Sequence, residues 1–149
     1  MVYPTQLPSM PFGIPPGAVM AFSGKIADPD ADGPADFETL IETYGWMVCD
    51  GRQLDAEDYP LLYQVIGPQY NKGLEPEGTF RLPDYRGYIL CMTDMNSGND
   101  PEAKARQRAN GRPGSDVGTI QQPVGLASLR NGITTHPGNV YVYYIIKFI

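Results

Sequence analysis

Val140-Tyr141-Val142-Tyr143-Tyr144-Ile145-Ile146-Lys147-Phe148-Ile149 is the stretch whose reading decides the fold. Every residue in it but Lys147 is apolar or aromatic, and most are β-branched or ring-bearing, the types that suit a pleated strand. Apolar side chains stand at odd and even positions alike, so both faces of this strand are expected to be buried. Such a strand needs neighbours beside it and cover above and below.

The upstream sequence supplies them. Residues 17–26 (GAVMAFSGKI) read as a first strand. Residues 46–49 read as a short buried strand that stops at the turn pair Asp50-Gly51. Residues 79–82 read as another, running into Pro83-Asp84, and residues 85–92 as a further strand. The helix signal lies between: Tyr59, Leu62, Tyr63 and Ile66 fall at i, i+3, i+4 and i+7, one face of a helix. Asp55 or Asp58 is expected to cap its start, Pro60 fits its first turn, and Gly67 stops it. Single helical turns are expected over residues 37–43 and after Asp100-Pro101. The fold class is therefore mainly β with one short helix (α+β), without internal repeats or heptads.

Composition agrees. The chain has 149 residues, 42% of them hydrophobic, enough for one domain with a packed core. Its 17 glycines and 15 prolines exceed ordinary usage and imply turns and short elements. Pro4, Pro8, Pro11, Pro15 and Pro16 favour an extended arm over residues 1–13, with the domain at 14–149. The net charge of −6 argues against nucleic acid as a partner. No apolar run approaches the ~20 residues of a membrane helix, so membrane insertion is not expected. The N-terminus has neither a basic start nor an apolar stretch, which predicts synthesis in the cytoplasm without a signal peptide. Cys49 and Cys91 match no metal spacing and read as two buried free thiols, with a disulfide as the alternative.

Little in the sequence points to catalysis. It contains no Gly-x-Ser-x-Gly elbow, no Walker loop and no dinucleotide fingerprint. The one histidine, His136, precedes Pro137 in a turn and reads as structural, and no spacing pairs it with a cysteine. No enzyme is expected. Asp28, Asp30, Asp32, Gly33 and Asp36 follow the calcium-loop template at positions 1, 3, 5, 6 and 9, but Thr39 stands where position 12 requires Glu. A solvated acidic turn is the reading and a calcium site at Asp28, Asp30, Asp32 and Asp36 the alternative; no other cofactor is expected. The polar loop 94–115 carries Asp100, Lys104, Arg106, Arg108 and Arg112. The basic members suit phosphate or carboxylate groups of a surface glycan, or an acidic patch on a neighbouring subunit; a merely solvated loop is the plain alternative.

The order of motifs then carries a resemblance. Pro15-Pro16-Gly17-Ala18-Val19 is followed by Gly45-Trp46-Met47-Val48-Cys49-Asp50-Gly51, by Tyr59-Pro60-Leu61-Leu62-Tyr63 with Ile66-Gly67, and by Phe80-Arg81-Leu82-Pro83-Asp84-Tyr85-Arg86-Gly87. Residues 98–103 with Arg106, then 117–121, precede Pro137-Gly138-Asn139-Val140 and the final strand. Over residues 14–149 the chain resembles the phage tail collar family, the knob module of short tail fibres and related tail-tip proteins, with 94–115 as its variable loop.

The resemblance implies a trimeric knob with long irregular loops. It implies a structural tail-tip or tail-fibre component of a phage or a phage-derived contractile injection system, located in the virion or injection particle at the tail or baseplate. Host attachment or fibre–baseplate assembly is its expected task. The expected partners are further copies of itself, other tail, fibre or baseplate proteins, and cell-surface glycan. A calcium-dependent glycan-binding module and a polysaccharide hydrolase are the alternatives. Within the motifs, Trp46 has the largest apolar surface to bury. Asp50-Gly51 and Pro83-Asp84 set strand ends, and Arg86, before Gly87, is placed to make a bidentate bond to a carboxylate and pin its turn, with a plain surface ion pair as the alternative. Two features depart from the family. Some short tail fibres bind metal through a His-x-His pair, whereas Gln122-Pro123-Val124 follows Gln121 here, so no such site is carried over. Only a short arm precedes the module, so it is expected either to sit on a shaft made by another protein or to attach directly to a tail or baseplate.

Overall fold

The elements in chain order are β1 (Val19–Phe22), α1 (Leu40–Thr43), β2 (Trp46–Val48), β3 (Gln53–Asp55), α2 (Pro60–Ile66), β4 (Thr79–Arg81), a 3₁₀ turn (Ala103–Ala105) and β5 (Tyr143–Lys147). The computed structural model describes residues 13–24, 26, 40–121 and 139–149. Among the described residues the fold is mainly β, with two small antiparallel sheets and one helix longer than a single turn.

β5 is the central strand of the larger sheet, flanked by β1 and β2, both antiparallel to it. Val19 stands opposite Ile146 and Phe22 opposite Tyr143, while Met47 faces Ile146 and Val48 faces Ile145 from the other side. Successive side chains of a strand point to opposite faces, so Ile145 and Ile146 enter separate clusters. Ile146, 1% exposed, packs in the cluster of Met47, Cys49, Leu62, Phe80 and Leu82, and Ile145 in that of Ile26, Ile41 and Val48. Each contributes a gross ~1.5–3 kcal/mol by leaving water.

Burial on both faces thus holds at the middle of the terminal stretch. It fails at its start: Val140 and Tyr141 are 89% and 92% exposed, and β1 ends at Phe22, opposite Tyr143, so they have no ladder partner among the described residues.

β3 and β4 form the second sheet, with Leu54 opposite Phe80, and α2 lies between them in sequence. Leu62 and Ile66 of α2 are buried in the same cluster as Phe80, and the half-turned-out Tyr63 ring tilts over Phe80 with centroids 5.2 Å apart. The expected carboxylate cap is corrected. Tyr59 is the N-cap and offers no side-chain cap bond; its ring stands edge-on to Phe148 at 5.4 Å, so aromatic packing fixes the helix start instead. Gly67 ends the helix as expected, donating its amide to the Tyr63 carbonyl at 2.8 Å.

Residues 85–92 do not form the expected strand. The Tyr88 amide bonds the Tyr85 carbonyl at 3.2 Å, and this turn carries the chain away from the sheets. Trp46 is only half-buried, against the Ile145 cluster, with the Lys147 ammonium 5.5 Å from its ring centroid. Of the cysteines, both free, Cys49 is buried but Cys91 is exposed, which corrects the reading of two buried thiols.

Candidate functional site

The motif residues form one hydrogen-bonded frame. The segment after β2 and the segment after β4 run side by side: the Leu82 amide donates to the Arg52 carbonyl at 3.0 Å, Gly51 to Pro83 at 3.1 Å and Tyr85 to Cys49 at 3.0 Å. Asp50 and Asp84 face each other across this ladder. Gly51 has φ +76°, and a Cβ there would lie 2.9 Å from the Asp84 Cβ, so the two turns meet only because Gly51 has no side chain.

Charged side chains brace the turns. Arg86 grips Asp84 with two bonds, Nε to Oδ1 at 2.8 Å and Nη2 to Oδ2 at 2.7 Å, the fork expected from the sequence. Arg52 binds Asp50 through Nη2 at 2.8 Å and reaches Glu42 of α1 at 3.2 Å. Arg81 spans further, donating from Nε to Glu75 at 2.7 Å and from Nη1 to the Gly51 carbonyl at 2.9 Å. Glu75 also accepts the amides of Lys72, Gly73 and Leu74. Sequence reasoning missed Arg52, Glu75 and Arg81 as braces; Arg81 stood inside the Phe80–Gly87 motif, which was the available signal.

These contacts fix the local electrostatics. The amide of Lys72, then the Arg81 guanidinium and the Gly73 amide, hold the Glu75 carboxyl down at about 2. The Arg86 hydrogen bond lowers Asp84. Burial, reinforced by the nearby Asp50 and Asp84 charges, pushes the Cys49 thiol up to about 12, so it stays protonated and unreactive near neutrality. Burial also raises Tyr70 and Tyr85, whose hydroxyls bond each other at 3.0 Å.

The loop 94–115 is folded by its own polar groups. Asp94 accepts the Ser97 hydroxyl at 2.7 Å and the amides of Gly98 and Asp100 at 3.1 and 3.0 Å. Gln107 and Ile120 exchange backbone bonds at 2.7 and 3.1 Å, closing the loop on the segment that follows it. Of the candidate binding residues, Asp100 and Arg106 are brought together as an ion pair, and Arg108 binds Asp116 at 3.1 Å. Lys104 and Arg112 are exposed and make no side-chain hydrogen bond or ion pair among the described residues. The four basic groups therefore do not converge as one anion site. Arg106 is held by Asp100 within the loop and Arg108 by Asp116 just beyond it. Asp28, Asp30, Asp32 and Asp36 lie outside the described residues.

Between frame and loop runs an open groove of about 1180 Å³. Tyr70, Tyr85 and Arg86 line its frame side, Asp100, Arg106 and Asp116 its loop side, and residues 88–93 run along it. Its volume exceeds the ~300–1,000 Å³ of an ordinary small-molecule pocket, and its open form suits an extended polymer segment better than a compact ligand.

A scaffold of braced turns carrying a self-folded loop defines a structural β module, and comparison with known proteins agrees. The model of the Phage Tail Collar Domain matches residues 17–90. Protein RhiB of Rhizobium leguminosarum bv. viciae is 33% identical over 164 residues, a span of 86% of this chain and 74% of RhiB. The chain belongs to the phage tail collar family. The collar domain is a structural domain of phage tails, and the matched span contains the frame from Trp46 to Gly87 while leaving out the loop 94–115 and β5. No helix among the described residues is long and apolar enough to cross a membrane.

Proposed function

We propose that this chain is a non-catalytic component of a phage tail or of a phage-derived contractile injection machine, and that it attaches the particle to a cell surface or secures a fibre on the baseplate. The collar match over residues 17–90 carries this reading, because the matched residues are the ones that build the braced frame. Several copies mount together, the frame acts as the scaffold, and the loop 94–115 is the contact surface. Lys104 and Arg112 meet carboxylate or phosphate groups there. Individually weak contacts add through effective concentration when copies are held side by side.

Replacing residues 94–115 by a short Gly-Ser link tests this. None of these residues belongs to either core cluster, so the variant should fold. It should lose attachment of the particle to cells, or fail to enter the particle; counting the chain per particle separates the two. Normal incorporation together with normal attachment would refute the assignment.

A further inference from the structure

Two stretches of the chain combine exposed apolar side chains with unpaired backbone. The first lies along the groove, where Ile89 and Met92 are 80% and 82% exposed. Among the described residues, no backbone group of residues 89–93 takes part in a hydrogen bond. The second, residues 139–142, leads into β5 ahead of its first ladder partner, again without a backbone hydrogen bond among the described residues. Val140 and Tyr141 line a separate hollow with Phe22 and Ser23. Their exposure shows that the two strips do not cover each other within one chain.

Strand-forming residues with free amides and carbonyls are a template for another chain. The charges in the groove say which kind of chain fits. Arg81, Arg86 and Arg106 are already held by Glu75, Asp84 and Asp100, and Asp116 by Arg108, which leaves Lys72 as the lining charge without an ion pair among the described residues. Residues 139–146 carry no charge at all. A neutral strand laid against paired charges strips no isolated ion of its water, the costly step in burying charge. A contact that takes one strip from each of two copies covers on the order of 1,000 Å² of largely apolar surface in total, which reaches the ~1,000 Å² a specific interface needs but not the ~1,600 Å² of a standard one.

We propose that residues 139–142 of one copy pair as a β-strand with residues 89–93 of a second copy, and that this head-to-tail contact repeats and closes into a ring. A contact between unlike patches closes a ring when its rotation permits, and otherwise builds a filament. This deepens the reading above by naming the surfaces through which copies assemble, and it rests only on the multi-copy part of that reading.

Light scattering and sedimentation of the full chain test it with Ile89→Arg and Tyr141→Arg. Wild-type protein should run as a closed oligomer, three copies being the expected number. Each substitution alone should reduce it to a single chain of 16.4 kDa. An equimolar mixture of the two should form a dimer of one copy each, since each variant keeps the strip that the other lacks. Met92→Lys and Val140→Lys repeat the experiment if either arginine variant loses its native circular dichroism. A wild-type oligomer that either substitution leaves intact, or a mixture that stays monomeric, overturns the pairing and leaves the structural reading standing. A wild-type monomer overturns both the pairing and the multi-copy mechanism.

Discussion

The Gly51 amide donates to the Pro83 carbonyl at 3.1 Å while its α-carbon sits so close to Asp84 that an added methyl would lie 2.9 Å from the Asp84 Cβ. The turn after β2 and the turn after β4 are thereby locked at one point. Gly51→Ala is expected to destabilise the fold by about 1–3 kcal/mol, from the left-handed φ of +76° and the clash together. Urea unfolding measures it; an unchanged midpoint would mean that the turns separate without cost.

Ile146 and Leu74 are both large and aliphatic, yet one is 1% and the other 94% exposed. Ile146→Ala should cost about 2–5 kcal/mol, since it opens a cavity between β5, β2 and α2. Leu74→Ala should stay within about 0.5 kcal/mol. Equal effects in the same unfolding assay would contradict the assignment of β5 as the core strand.

Glu75 makes stability depend on acid. Its carboxyl titrates at about 2 in the folded chain against 4.5 without its partners, so the folded state favours the ionised form. Its contribution is complete above 4.5 and is lost as pH falls toward 2. Asp84 and Asp94, also lowered, act in the same direction. Glu75→Gln should flatten the fall in unfolding midpoint between pH 5 and about 2. A parallel fall in variant and wild type would show that Glu75 does not brace Arg81.

The thiols should separate cleanly. Cys91 is exposed on the groove, whereas Cys49 is buried with its thiol pushed up to about 12. A thiol reagent at neutral pH should modify one cysteine per native chain, and mass mapping should find it at Cys91. Two rapid modifications would contradict the burial of Cys49.

The terminal strand was legible because Tyr144, Ile145 and Ile146 leave no polar face for water to wet. Its neighbours were legible as elements, although their pairing, Val19 with Ile146 and Met47 with the same residue, is set by long-range register that a local pattern does not encode. Residues 85–92 read as a strand because 88–92 are apolar, as most of 143–147 is; a strand also needs a partner, and the Tyr85–Tyr88 turn leaves 88–92 without one among the described residues. β3 was missed because Gln53–Asp55 is short and polar and shows itself only beside Thr79–Arg81. At the site, the Asp84–Arg86 fork was legible because its members are two residues apart. Glu75 with Arg81, and Asp100 with Arg106, are joined by the folding of turns, so the charge cluster read from the loop hid its own neutralisation.

A structural part of a tail must reside in the particle. Electron microscopy of particles purified from cells that make it, labelled with a gold-conjugated antibody against the chain, should place it in several copies at the tail tip, a tail fibre or the baseplate. Particles that lack the chain while it accumulates free in the cell would contradict the proposal that it is a structural part of the tail.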